Sequence, residues 1–349
     1  MPAPPGTPSQ FLRLRTPQFT HHNLAFSPFF DNHFALASGK NFGLVGNGRV
    51  HIVALDPDVP GGVRVVRGFD TQDCVYDVAW NESHENQIVA ACGNGALKMF
   101  DITLEGLPIR AWHEHSAEIM SIEWNNLQKD TFVTSSWDGA IKVWTESRTT
   151  SLLTIPSSAT RPSSPSHSQL YNATFSPHSP SLICSCSSDG LLNIYDIRSP
   201  TSASGTATQT IPAGMTPHQL QHHGHGKGAE ILSCDWNKYV PGMIATASKD
   251  GSVKVWDLRS SSTLTTKGGI QVGRHGLAAR KVAWSPHRAD LLASASYDMT
   301  CRTWSTASPG TGTSHSDHTE FVMGVGWALF DEGLLASAAW DEEVHLFRV

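Results

Sequence analysis

The sequence predicts an all-β, seven-bladed propeller closed by its own N-terminal strand, and three observations lead there. An aromatic residue recurs at Phe26, Trp80, Trp124, Phe175, Trp236, Trp284 and Trp327, at spacings of 54, 44, 51, 61, 48 and 43 residues. Each copy then carries a polar turn: Asn47-Gly48, Asn94-Gly95, Asp138-Gly139, Asp189-Gly190, Asp250-Gly251, Asp298-Met299 and Asp341-Glu342. After each turn comes a run that alternates with period two, as in RVHIVAL, AIKVW and EVHLF, the pattern of a half-buried strand. Self-similarity at this period marks a radial repeat, whose copies bury their faces only against neighbours. Asn-Gly and Asp-Gly predict hairpins with type I′ turns, in which both central residues have positive φ.

Taken in order, the first copy opens near residue 20 and the last stops at its third strand, which leaves blade seven one strand short. Residues 10–19, QFLRLRTPQF, alternate and precede the first copy. They are expected to supply the missing outer strand and so remove two free sheet edges. Residues 1–9 read as a flexible terminus and 10–349 as a single propeller. Two insertions lengthen the spacings. Residues 156–168, PSSATRPSSPSHS, are Ser/Pro-rich and read as a mobile loop. Residues 198–228 hold one weak strand, near 207–212, and a Gly/His-rich loop.

Several third strands end in the aromatic–Asp pair that names the WD40 repeat: Phe100-Asp101, Tyr195-Asp196 and Trp256-Asp257. A histidine also stands nine residues before the aromatic column, at His115, His275 and His318. In such repeats this His bonds the turn Asp, which ties to a strand hydroxyl and a strand Trp. For blade three the set is His115, Asp138, Ser136 or a neighbour, and Trp144; its counterparts elsewhere include Asp250, Trp256, Asp298, Trp304 and Asp341. Recurrence in different blades identifies it as a structural network rather than a Ser-His-Asp catalytic triad. Blade five has Lys227 in place of the histidine, so its network is expected to be incomplete.

Composition narrows the function classes. With 31 acidic and 25 basic residues the formal charge is −6, which disfavours a nucleic-acid footprint and suits a basic peptide partner. Eighteen histidines make that charge pH-sensitive. Six cysteines, at 74, 92, 184, 186, 234 and 301, form no C-x-x-C pair and read as reduced, mostly buried thiols of a cytoplasmic protein. No secretory core or membrane-length apolar run is present, so no membrane insertion is expected. The cluster His218, His222, His223 and His225 lies in a Gly/His-rich loop and reads as solvated, not as a metal site. GHGKGA (224–229) lacks the Ser/Thr of a phosphate loop, and no G-x-S-x-G elbow occurs. No enzyme activity, metal or cofactor is expected.

Individual copies resemble one family closely. AFSPFFDNHFALASGKNFGLVGNGRVHIVAL, FDTQDCVYDVAW, EHSAEIMSIEW, AEILSCDWNKY, SYDMTCRTW, HTEFVMGVGW and AAWDEEVHLF resemble, blade by blade, peroxin 7, the WD-repeat receptor family for type-2 peroxisomal targeting signals. AEILSCDWNKY and HTEFVMGVGW are the most specific, because an ordinary WD repeat does not require those residues. The resemblance implies a cytoplasmic receptor cycling to the peroxisome. Its cargo would be N-terminal presequences of matrix enzymes such as thiolase, with the pattern Arg-Leu-x5-His/Gln-Leu. It also implies a peroxin co-receptor and indirect contact with membrane docking peroxins. A helix of that pattern presents its first and last pairs on one face, about two turns apart, and needs carboxylates beside apolar surface.

Such a surface is legible on the face where each fourth strand meets the next blade, here called the top. There each blade projects the residue before its first strand (Thr20, Cys74, Glu118, Gln169, Glu230, Ala278, Phe321) and the residue before its turn (Gly46, Gly93, Trp137, Ser188, Lys249, Tyr297, Trp340). With Asp73 beside Cys74, three carboxylates (Asp73, Glu118, Glu230) and four aromatics (Trp137, Tyr297, Phe321, Trp340) are expected to ring one opening. A rival reading comes from Tyr195-Asp196-Ile197-Arg198 and Trp256-Asp257-Leu258-Arg259. These fit the W/Y-D-x-R pattern of substrate receptors in cullin-RING ubiquitin ligases, whose arginine meets an adaptor.

Overall fold

Each of the seven aromatic-column residues ends, or all but ends, the first strand of a four-stranded antiparallel sheet. The computed structural model describes residues 11–157, 168–199, 208–211, 229–259 and 269–349. The seven first strands are Thr20–Phe26, Val75–Trp80, Ile119–Trp124, Leu170–Ser176, Ile231–Trp236, Ala279–Trp284 and Val322–Trp327. They lie innermost, and successive ones pack against each other around one axis. The column rings lean on the preceding blade: the indole N–H of Trp80 donates to Ala25 O at 3.0 Å, that of Trp236 to Thr174 O at 3.3 Å and that of Trp327 to Ala283 O at 3.1 Å. A large ring with one polar handle suits this place, because it fills the wedge between diverging sheets and still satisfies its donor.

Diverging inner strands cannot pair through their backbones, so buried side chains bridge them instead. Asp77 accepts from Asn23 Nδ2 of blade one at 2.6 Å and from the Ile122 N–H of blade three at 2.9 Å. Asn172 accepts from the Cys234 N–H, and Asp235 from the Trp284 N–H at 2.7 Å. All six cysteines are buried free thiols, as their scatter predicts.

The polar turns join second to third strands in six blades, but they are not type I′. Only the second central residue has positive φ, as at Gly139 (80°), Met299 (64°) and Glu342 (68°). The Asp before it stays at negative φ because its carboxylate accepts the N–H two residues on, as Asp138 does from Ala140 at 2.9 Å. Blade one departs further. Its second and third strands, His33–Gly39 and Gly48–Leu55, are joined by the eight residues 40–47, which hold one 3-10 turn.

The histidine networks form as the spacing predicts, with one correction. His115 Nδ1 bonds Asp138 Oδ2 and His115 Nε2 bonds Thr134 Oγ1, both at 2.8 Å, and Trp144 Nε1 donates to Thr134 Oγ1 at 2.9 Å. The strand hydroxyl is therefore Thr134 and not Ser136, whose Oγ instead accepts from the Asp138 N–H. The same triangle joins His275, Asp298, Ser294 and Trp304. It joins His318, Asp341 and Ser337 in blade seven, where Phe347 fills the Trp position and donates nothing. In blade five, Trp256 donates to Thr246 and Asp250 caps Ser252; Lys227 lies outside the described residues.

Burial alone would raise the Asp138 carboxyl. The hydrogen bonds from His115, Ser116 and Ala140 outweigh burial and hold it below its ordinary value. Asp138→Ala strands those donors at about 1–3 kcal/mol each, so its melting temperature should fall by several degrees. Cargo affinity, measured below the melting range, should be unchanged; a variant with normal melting and no binding would overturn the structural role.

Closure is as predicted. Leu12–Arg15 pairs antiparallel with Glu343–Arg348, in register Leu12 to Leu346 and Arg15 to Glu343, and completes blade seven. Arg13 grips Glu343 through two bonds, Nη2 to Oε1 at 2.6 Å among them. Gln209–Ile211 is the outer strand of blade four, where the weak strand was expected. Residues 1–9 and most of the two insertions, including His218, His222, His223 and His225, lie outside the described residues.

Candidate functional site

Pairing register places the predicted top-face residues side by side within each blade. The N–H of the pre-turn residue donates to the carbonyl of the pre-strand residue in six blades: Gly93 to Cys74, Trp137 to Glu118, Ser188 to Gln169, Lys249 to Glu230, Tyr297 to Ala278 and Trp340 to Phe321. Blade one is a correction. Its Thr20 pairs with Gly39, and Gly46, expected beside the other pre-turn residues, lies in the eight-residue loop.

Three of the four predicted aromatics form one continuous run. Tyr297 stacks on Phe321 with centroids 4.8 Å apart, and Phe321 meets Trp340 at 5.5 Å. Two residues that the sequence did not flag extend the run: Phe42 of the blade-one loop lies 5.4 Å from Trp340, and His22 lies 6.0 Å from it. Leu44 and Val45 of the same loop are exposed. Gly43, with φ of 77°, lets the loop sit down, since any side chain there would strike Cys74 and His22. Trp137 stands apart from this run, edge-on to Tyr171 at 6.3 Å. The indole N–H groups of Trp137 and Trp340 are buried without an acceptor among the described residues.

The three carboxylates are not equivalent. Glu230 is already engaged, accepting from Lys249 Nζ at 2.7 Å and from the Tyr171 hydroxyl at 2.8 Å. Burial, with that bond to Glu230, pushes the Tyr171 hydroxyl well up. Asp73 caps the Cys74 N–H at 2.7 Å. Glu118 is half-buried, and its carboxylate forms no ion pair or hydrogen bond among the described residues. Of the three, it is the carboxylate left uncommitted among the described residues.

Beneath this mouth lies a feature invisible in the periodicity. The inner strand of every blade skips one residue of its register: His22, Tyr76, Met120, Tyr171, Leu232, Arg280 and Met323. An unpaired bulge residue is re-aimed out of the sheet, and here all seven converge on the axis. The cavity they enclose is only about 10 Å³, so they plug the channel. Below them a cavity of about 250 Å³, lined by Asp77, Glu82, Glu123, Asp235 and Lys281, faces the opposite side of the ring.

Other candidates are less favourable. His315, His318 and His345 bring ring nitrogens within 4.8 Å of one another. However, the rings of His318 and His345 stack 3.8 Å apart and nearly parallel, and both nitrogens of His318 are bonded to Asp341 and Ser337. Those nitrogens do not point at one ion. The two W/Y-D-x-R arginines fold back on their own motifs: Arg198 bonds Asp196 at 2.6 Å and Arg259 bonds Asp257 at 3.0 Å.

Comparison with known proteins agrees with this architecture. The family described as WD domain, G-beta repeat matches residues 106–145, 161–196 and 217–257. The chain is 37% identical to the peroxisomal targeting signal 2 receptor of Saccharomyces cerevisiae, over 97% of this chain and 99% of that one. It is 40% identical to peroxisome biogenesis protein 7 of Arabidopsis thaliana, over 95% of each. Against the peroxisomal targeting signal 2 receptor of Homo sapiens it is 33% identical, over 89% of this chain and 87% of that one. At 33% to 40% identity over 89% to 97% of its length, this chain belongs to the family of peroxisomal targeting signal 2 receptors.

Proposed function

We propose that this chain is a cytoplasmic import receptor that binds helical type-2 targeting presequences, Arg-Leu-x5-His/Gln-Leu, on its top face. With a peroxin co-receptor it delivers matrix enzymes such as thiolase to the peroxisome, meeting the membrane docking peroxins as a complex. The observation that carries the reading is one mouth holding an uncommitted carboxylate, Glu118, and an aromatic run from Tyr297 through Phe321 and Trp340 to Phe42. A basic amphipathic helix needs those two chemistries together: carboxylate for its arginine and apolar surface for its leucines, at roughly 25 cal/mol per Å² buried. Asp73, on the neighbouring blade two, adds a second carboxylate to that side, while the Trp137 N–H bonds the Glu118 carbonyl. Glu230, tied to Lys249, fixes the mouth on the far side.

The test is a fluorescent Arg-Leu-x5-His-Leu peptide titrated against the receptor, with and without candidate co-receptors. Saturable binding, lost when the peptide arginine becomes glutamate, is expected. Recovery of a cullin adaptor from cytosol, with no presequence binding, would replace this reading by the ligase one.

A further inference from the structure

The ring of seven bulge residues carries one formal charge. Met120, Leu232 and Met323 are apolar and the two tyrosines are neutral. Burial, with the nearby Arg280 adding to it, lowers His22 to about 3, so its imidazole is neutral as well. Arg280 is the cation. Among the described residues it forms no ion pair, and its one hydrogen bond, from Nη1 to Leu232 O, is long at 3.4 Å. The pre-strand positions nearest to it offer no free counter-charge: on blade five Glu230 is bound to Lys249, and on blade six itself the residue is Ala278. A half-buried guanidinium kept without a counter-charge at the floor of a binding mouth is a donor that still lacks its acceptor.

Its place on the ring gives this charge a meaning. In a seven-bladed ring, half a turn is three and a half blades. Blade six therefore stands opposite the boundary between blades two and three, where Asp73 and Glu118 sit. An electrostatic axis crosses the mouth, from the carboxylates at blades two and three to the guanidinium of Arg280, which is rooted on blade six and reaches the axial ring. A helix has the same asymmetry. Its N-terminal turn is partly positive and its C-terminal turn, with four unbonded carbonyls, is partly negative. In a presequence whose arginine lies at the start, the side-chain charge and the dipole point the same way.

We propose that Arg280 is the residue that sets the direction of the bound presequence, by receiving the carbonyl-bearing C-terminal turn while Glu118 and Asp73 receive the N-terminal arginine. This rests on the top-face reading above and adds a polarity to it. In the reversed pose the presequence arginine meets Arg280, and the free carbonyls face Glu118.

The experiment uses the full chain and synthetic presequence peptides that carry Glu or Lys in the turn after His-Leu. On the wild type the Glu peptide should bind about threefold to tenfold more tightly than the Lys peptide. Arg280→Gln should erase that difference and Arg280→Lys should keep it, both with unchanged dependence on the peptide's N-terminal arginine. A photo-crosslinker at the peptide's N-terminus should label blades two and three; one at its C-terminus should label blades six and seven. The proposal is overturned if the Glu–Lys difference survives in Arg280→Gln, if it is missing from the wild type, or if the crosslinks are reversed. Failure of the top-face reading looks different: neither crosslinker would reach the mouth, and Glu118→Arg would leave binding intact. Should Arg280→Gln fold poorly, the peptide swaps and crosslinks on the wild-type chain decide alone.

Discussion

Glu118→Arg should abolish presequence binding while leaving the melting temperature within a degree or so of wild type. The substitution replaces the uncommitted carboxylate of the mouth by a like charge facing the presequence arginine. Reversal at a partly desolvated ion pair is worth about 3 kcal/mol or more, roughly a hundredfold in affinity. Stability should not change, because the Glu118 carboxylate holds nothing in place: only its backbone carbonyl is used, by Trp137. A presequence carrying Glu in place of its arginine should partly restore binding to the variant. Glu332→Arg, exposed in a loop on the opposite face, is the control and should bind normally. Normal binding by Glu118→Arg together with loss in Glu332→Arg would move the site to the other face.

The largest effect on stability should come from removing residues 1–16. This deletes the outer strand of blade seven, its register against Glu343–Arg348 and the Arg13–Glu343 grip, and leaves the edge of Glu343–Arg348 unpaired. The melting temperature should drop on the order of 10 °C or more. An unchanged value would show that closure contributes nothing. The seam also makes the ring acid-sensitive. His21, bonded to Thr16, is lowered by burial to about 4, against the opposing pull of Asp341; His51 is lowered to about 3 and His315 to about 4, again chiefly by burial. A histidine depressed in the folded state takes up its proton only on unfolding. Its contribution is therefore complete above about pH 6.5 and falls as pH drops toward the folded values. Asp341 and Asp138, also depressed, add a loss below about pH 4. Melting measured from pH 7.5 to 5 should fall steadily in the full chain. The slope should be smaller in His51→Gln.

The blades were legible because hydrophobic alternation, the aromatic column and the closing strand are all local signals that the ring has to honour. That pre-strand and pre-turn residues lie at one end of the blade was legible too, and backbone bonds join them in six blades. Other features were hidden for definable reasons. The turn type was misjudged because Asp at the first central position caps its own turn, which leaves a single positive φ at Gly139 or Glu342. Glu230 looked equivalent to Glu118 until its blade partner, Lys249, closed on it. The aromatic run gained Phe42 from a loop whose eight residues break the repeat. The axial ring was invisible because first strands such as IMSIEW and ILSCDW are buried on both faces and carry no alternation that a one-residue bulge could interrupt.

The plugged axis limits the traffic that this receptor can handle. A molecule seated in the mouth has no back door: seven side chains stand between it and the lower cavity. Loading and unloading must therefore pass through the same opening, as with a cup rather than a pipe. Anything that caps the opening after cargo has arrived slows escape and so raises residence time; the same cap arriving first delays loading equally. Order of arrival, and not contact area alone, then determines whether a second protein acts as a partner or as an inhibitor.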